Sequence, residues 1–363
     1  MPRRVFVHIG APKTGSTFVQ DVLWNNTERL KRAGFLLPVS FTAHDQAMTD
    51  LRQVPWRDPQ AYWTWDRLIE TYARWPGDVV LTNEGFGAAD AEQARRAVES
   101  LAPAEVHVIV AARDLWRTFP SMWQQSIRAR STWRFEEFVT AVELGRFEGF
   151  WEHHTANRMF LRWGDLVPPE RRHIVTVPPP GAPRELLWQR FAGIINIPDG
   201  VCEMTAPTAN PSLGAPEIEL LRRVNLALGD RFPHRMPYQR VVHQHLVRAV
   251  LQRRDNDMRF GVGLDRAEWI ADLAEQQIKE LQDYPCHIVG DLSELRPSAT
   301  RQTPTPDELD ERQILDAAIE TIVGMLGHAD ELRQQVPVPE PTILARIRSR
   351  AGGVRRGLRR TLG

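Results

Sequence analysis

Residues 105–112 read EVHVIVAA and close on five consecutive apolar positions. A strand with one solvated face alternates polar and apolar side chains. An unbroken run needs burial on both faces, as in a parallel sheet covered by helices on each side. Shorter β-rich runs stand at Val5–Ile9, just before Gly10, at Val79–Leu81 and at Ile174–Val177. Helical periodicity fills the intervals. One stretch starts near Thr17, carries Phe18, Val19, Val22 and Leu23 on one side, and stops at Gly34. Others span 89–101, 114–130 and 183–193, and Asp58 with Pro59 reads as the cap and first position of a further helix. Strand–helix alternation of this kind predicts an α/β fold, a doubly wound parallel sheet with right-handed crossovers.

Beyond about residue 200 the pattern becomes mostly helical, at 216–229, 236–255 and 266–282, with CHIVGDL (286–292) as a last strand or extended piece. The expected organisation is one domain over 1–300, with the core sheet within 1–200 and a helical part within 200–300. A capped helix at 301–334 follows, then a Pro-rich linker and a basic tail over 335–363.

Charge and composition exclude several function classes. Basic and acidic residues both number 46, so no strongly basic face marks a nucleic-acid binder. The balance is uneven, since residues 341–363 hold seven arginines and no acid. Ile343, Leu344, Ile347, Val354, Leu358 and Leu362 lie among them, a pattern compatible with weak contact to an anionic membrane surface, although Gly352-Gly353 interrupts any helix there. The two cysteines, Cys202 and Cys286, have neither metal nor redox spacing. No apolar run approaches a membrane span, and the first residues lead directly into a strand pattern, so the expected location is the cytoplasm. His243 and His245 diverge on a helix, and His153-His154 has no partner at ligand spacing, so no metal is expected. Trp56, Trp63, Trp65 and Trp75 read as a core stripe in preference to an aromatic platform.

The chemistry concentrates in HIGAPKTGSTF, His8–Phe18. A strand, a glycine-bearing loop and a helix start aim backbone amides at one spot, where the helix dipole favours an anion. Gly10 and Gly15 have the spacing of the nucleotide-binding G-x-x-x-x-G-K-[ST] loop, but the lysine precedes the second glycine by two residues instead of following it. Only three of the 46 basic residues are lysines (Lys13, Lys31 and Lys279), so a loop lysine in an arginine-rich chain points to a task a guanidinium does not perform.

The displaced pattern Pro12-Lys13-Thr14-Gly15-Ser16-Thr17 resembles the 5′-phosphosulfate loop of sulfotransferases that use 3′-phosphoadenosine 5′-phosphosulfate. The resemblance implies that Lys13 stands beside the oxygen bridging phosphate and sulfate. It implies also that Thr14, Gly15, Ser16 and Thr17 hold the 5′-phosphate through amides and hydroxyls. The family grips the 3′-phosphate with a strand-end arginine and a serine eight residues later; Arg113 and Ser121 have that spacing, with Arg117 and Ser126 as weaker candidates. Its carbohydrate-directed members use a glutamate base near the position of Glu84, in VVLTNEGF, with His8 and His44 as alternatives. Fainter similarity covers SMWQQSIRA, TANPSLGAPEIELLRRVN and YPCHIVGDLSELRP. The Arg-Lys-Gly segment of the cytosolic animal enzymes has no counterpart, and Asn210 or Ser212 stand in its place. The implied activity is metal-free sulfuryl transfer to a hydroxyl of a carbohydrate, glycolipid or secondary metabolite. Two alternatives stay open: a kinase or ATPase, and a catalytically silent binding protein.

Overall fold

The computed structural model describes residues 2–147, 149–204, 212–254, 258–297 and 303–335. The basic tail and Asn210 lie outside the described residues. Six strands form one parallel sheet: β1 (Arg4–Gly10), β2 (Phe35–Leu36), β3 (Asp78–Thr82), β4 (Glu105–Ala112), β5 (Arg172–Thr176) and β6 (His287–Val289). Their order is β2-β3-β1-β4-β5-β6, and every neighbouring pair is parallel. The sheet thus belongs to the α/β class that the apolar run in β4 predicts, and CHIVGDL supplies its last strand.

Side-chain alternation divides the core into two layers. Val5, Val7 and Ile9 of β1 join Val79, Leu81, Val108 and Val110 on one face, under Trp65, Phe86, Phe160 and Trp163. Phe6, Val80, Ile109 and Val175 face the other way, against Leu23, Phe191 and Ile195. Central strands buried on both faces explain why β4 shows no polar alternation. A third cluster stands off the sheet, where Phe119, Trp123, Phe135, Phe138 and Phe150 pack with Ile218 and Leu221. It joins the helix after β4 to the mostly helical later part of the chain, and the long helix Glu311–Gln335 packs against Ala215–Leu228.

Several local expectations need correction. No helix opens at Asp58; its carboxylate accepts from the Gln60 amide at 2.9 Å in a short turn. The helix begins instead at Trp65, after a Thr64 cap that accepts from the Arg67 amide. An unforeseen helix, Phe41–Arg52, starts at a Ser40 cap. The stretch from Gln239 to Arg248 is π-helical, with only Arg235–Tyr238 as α-helix before it. Fully buried Trp65 donates to Ser100 at 2.9 Å, and Trp63 and Trp75 pack on the same core, as the stripe reading expects. Trp56 is exposed and lies under the Arg235 guanidinium.

Parallel pairing brings the C-terminal ends of β3, β1 and β4 side by side. The three loops that follow them therefore open on the same edge, where doubly wound sheets place ligands. These loops carry Lys13, Glu84 and Arg113.

Candidate functional site

The loop after β1 is folded by three residues at positive φ: Gly10 (φ 128), Lys13 (φ 65) and Gly15 (φ 85). Gly15 precedes the helix Ser16–Asn25 in a left-handed conformation, and a Cβ there would lie 2.7 Å from a Leu187 methyl carbon. Glycine meets both demands at once. Lys13 has no such freedom, and a left-handed non-glycine residue costs about 1–2 kcal/mol. Strain of this size at a polar loop residue is a common companion of function. The Ala11 amide donates to the Ala111 carbonyl at 3.1 Å and ties the loop to β4. Thr14 is buried, and its hydroxyl donates to the Ala11 carbonyl at 2.6 Å. Its side chain is therefore committed to shaping the loop. At the helix start, the Phe18 amide reaches the Gly15 carbonyl at 3.0 Å. The amides of the first helical positions, Ser16 and Thr17, precede the repeating pattern and carry the positive end of the helix dipole.

Glu84 follows β3 and meets this helix start. The Ser16 hydroxyl donates to a Glu84 carboxylate oxygen at 2.5 Å. The Lys13 ammonium is held below its ordinary value chiefly by burial; Glu84 opposes that shift, and the charges of Arg128 and Arg113 reinforce it. Lys13 thus sits among one carboxylate and two guanidinium groups. Arg128 is a contribution that sequence reasoning missed. It comes from the end of the helix Leu115–Arg128, and nothing distinguishes it in sequence from the chain's many other arginines.

Arg113 ends β4. Its Nη1 donates to the Lys13 carbonyl at 2.7 Å and lies 3.5 Å from the Ser121 hydroxyl, a long contact. The predicted arginine–serine pair is therefore brought together. Among the described residues no carboxylate comes within ion-pair distance of Arg113, and its buried Nε has no hydrogen-bond partner. Burial pushes the guanidinium down to about 10, with the neighbouring Arg117 charge adding and Asp114 opposing. An isolated buried cation of this kind is stabilised by any anion that reaches it.

Apart from Ser212, the other candidates among the described residues are already engaged. Arg117 pairs with Asp114 and donates to the Pro178 carbonyl at 3.2 Å. Ser126 donates to its own helix, at the Trp123 carbonyl, 2.8 Å away. Ser212 is exposed. His8 is buried within the sheet, its Nδ1 2.9 Å from the Thr82 hydroxyl, and burial lowers it to about 4. His44 is fully buried, with Nδ1 accepting from the Thr82 amide at 3.2 Å and Nε2 donating to the Pro38 carbonyl at 3.0 Å; it too is lowered to about 4 by burial. Both histidines have structural partners and no solvent face. Among the described residues no group of three or more His, Cys, Asp or Glu side chains forms a metal-holding cluster.

Among the described residues no helix is long and apolar enough to cross a membrane. Comparison with known family models, with curated proteins and with solved structures finds no match for this chain.

Proposed function

We propose that this chain transfers a sulfuryl group from 3′-phosphoadenosine 5′-phosphosulfate to an acceptor hydroxyl, with the loop after β1 as the phosphosulfate loop. The observation that carries the reading is the position of Lys13. It is held in a strained turn, between a helix start and Glu84, with Arg113 bonded to its carbonyl. In this reading the amides of Thr14 to Thr17 and the exposed Thr17 hydroxyl receive the 5′-phosphate, while the hydroxyls of Thr14 and Ser16 stay on the Ala11 carbonyl and Glu84. Arg113 and Ser121 receive the 3′-phosphate. Glu84 takes the acceptor's proton as the acceptor oxygen bonds to sulfur. The bond from sulfur to the bridging oxygen breaks, and that oxygen leaves on the nucleotide with the electron pair. The Lys13 ammonium stabilises the charge that builds there.

The test pairs binding with transfer. Adenosine 3′,5′-bisphosphate at 100 times its Kd should stabilise the fold by about 2.7 kcal/mol, while ATP with magnesium should do little. Labelled donor offered with a panel of hydroxyl acceptors should yield labelled product. Absence of any bisphosphate-induced stabilisation would remove the proposal.

One observation favours a second reading. A hydroxyl at a helix start facing an acid beyond the next strand, as Ser16 faces Glu84, is the pairing through which magnesium-dependent phosphoryl transferases hold their ion. Protection by ATP that appears only with magnesium would favour it; the position of Lys13, ahead of Gly15, speaks against it.

A further inference from the structure

We propose that the acceptor is itself anionic, and that a carboxylate or sulfate on it docks on Arg52, beside the loop that carries Glu84. The inference rests on the sulfuryl-transfer reading for the word acceptor, but the anion site stands on its own observations.

Arg52 ends the helix Phe41–Arg52. The contact found for its guanidinium is with the Met48 sulfur, 3.8 Å from Nη1, and among the described residues no carboxylate lies within ion-pair distance. Met48 in turn packs on Gly85, the residue after Glu84; a Cβ at Gly85 would lie 2.8 Å from that same sulfur. Arg52 is therefore one side chain away from the Glu84 loop. A second guanidinium flanks the same segment. Arg162 donates from Nη2 to the Gly87 carbonyl and from Nε to the Ala89 carbonyl, both at 2.8 Å, and pairs with Glu152 through Nη1 at 2.5 Å. Its donors are committed to shaping the segment, whereas those of Arg52 are available.

The two cations oppose each other. Burial lowers the Arg52 guanidinium, and the charge of Arg162 lowers it further. Arg52 likewise depresses His153 and His154, each lowered first by burial. His154 continues the cluster toward the phosphosulfate loop, since it lines a small cavity together with Pro12, Thr14 and Arg113. Glu152 is the acid that acts on His153, and it is already bonded to Arg162. Glu152 answers the charge of Arg162, so among the described residues the charge here without an ion-pair partner is that of Arg52, and a half-buried cation is stabilised by an anion that reaches it. A helix C-terminus favours a basic residue through its dipole, which accounts for the charge at Arg52 but uses none of its donors. A planar guanidinium with free donors fits a carboxylate or a sulfate through two parallel bonds.

The experiment is a calorimetric titration of inorganic sulfate, at low ionic strength, into the wild type and the Arg52→Met, Arg52→Lys and Lys13→Ala proteins. Two sulfate sites are expected in the wild type. Arg52→Met should weaken one of them about tenfold or more, and Arg52→Lys, which keeps the charge, should weaken it less. Lys13→Ala should remove only the other site. A parallel titration of glucuronate, with glucose as its neutral control, should give binding that depends on Arg52 for the acid alone. Near-ultraviolet circular dichroism of each variant checks the fold, and methionine preserves the volume of the arginine stem. Sulfate and glucuronate isotherms unchanged by Arg52→Met would overturn the proposal. Loss of the Arg52 site together with an unaltered Lys13→Ala isotherm would instead uphold the anion site and count against the sulfuryl-transfer reading.

Discussion

Ser16 and Glu84 are 68 residues apart and share a 2.5 Å hydrogen bond across the ends of β1 and β3. The bond places a carboxylate at a helix start, where an anionic ligand would also be drawn. Under the proposed reaction Glu84 would have two roles to separate: a proton acceptor for the incoming hydroxyl, and a negative charge next to the proposed phosphate position.

Glu84→Gln should separate them. The amide is nearly isosteric and keeps a hydrogen-bond acceptor for Ser16, but it cannot take a proton. Turnover is expected to fall by about 100-fold or more. Affinity for adenosine 3′,5′-bisphosphate should be unchanged or higher, because a like charge has gone. Single-turnover transfer and nucleotide titration measure the two effects. A parallel drop in both would make Glu84 a donor-binding residue.

Lys13→Ala should lower transfer by about 100–1,000-fold, the usual loss when one stabiliser of developing charge is removed. The fold should survive, since alanine removes no core contact. Lys13→Arg should also be poor, because a wide planar group replaces a compact ammonium among two existing guanidinium groups. Steady-state rates and a thermal melt check both points, and near wild-type turnover in Lys13→Ala would end the assignment.

Arg113→Ala should weaken adenosine 3′,5′-bisphosphate by about 1.5–3 kcal/mol, the range for charge-assisted bonds. Adenosine 5′-phosphate, which lacks the 3′-phosphate, should lose much less. Equal losses for the two nucleotides would show that Arg113 acts only by holding the Lys13 carbonyl.

Acid should destabilise the fold through its buried histidines. His8 and His44 titrate near 6.5 when unfolded and near 4 when folded, both because burial disfavours the charged ring. Between those values the unfolded chain binds more protons, so stability rises with pH there and falls as pH drops from 6.5 toward 4. Each ring contributes on the order of 3 kcal/mol across that window. Thermal midpoints should be flat with respect to these two groups above pH 7 and fall steeply below 6. His44→Gln should flatten part of the acid slope; an unaltered slope would place the proton uptake elsewhere.

The sequence by itself determined the α/β class, because an unbroken apolar strand cannot tolerate a wet face, and β4 satisfies that demand from its own residues. It determined the loop as well: Gly10 and Gly15 are required by local backbone conformation, which is encoded where it occurs. The eight-residue spacing of Arg113 and Ser121 was legible for the same reason, since a strand end and two helical turns fix their approach. Tertiary structure decided the rest. Strand order brought Glu84 to Ser16, and nothing near either residue specifies that β3 lies beside β1. The burial of His8 and His44 comes from Phe191, Trp24 and the neighbouring strand, partners distant in sequence. Arg128 and Arg52 were hidden among many arginines. A charge gains meaning from what surrounds it, and those surroundings exist only once the helices have packed.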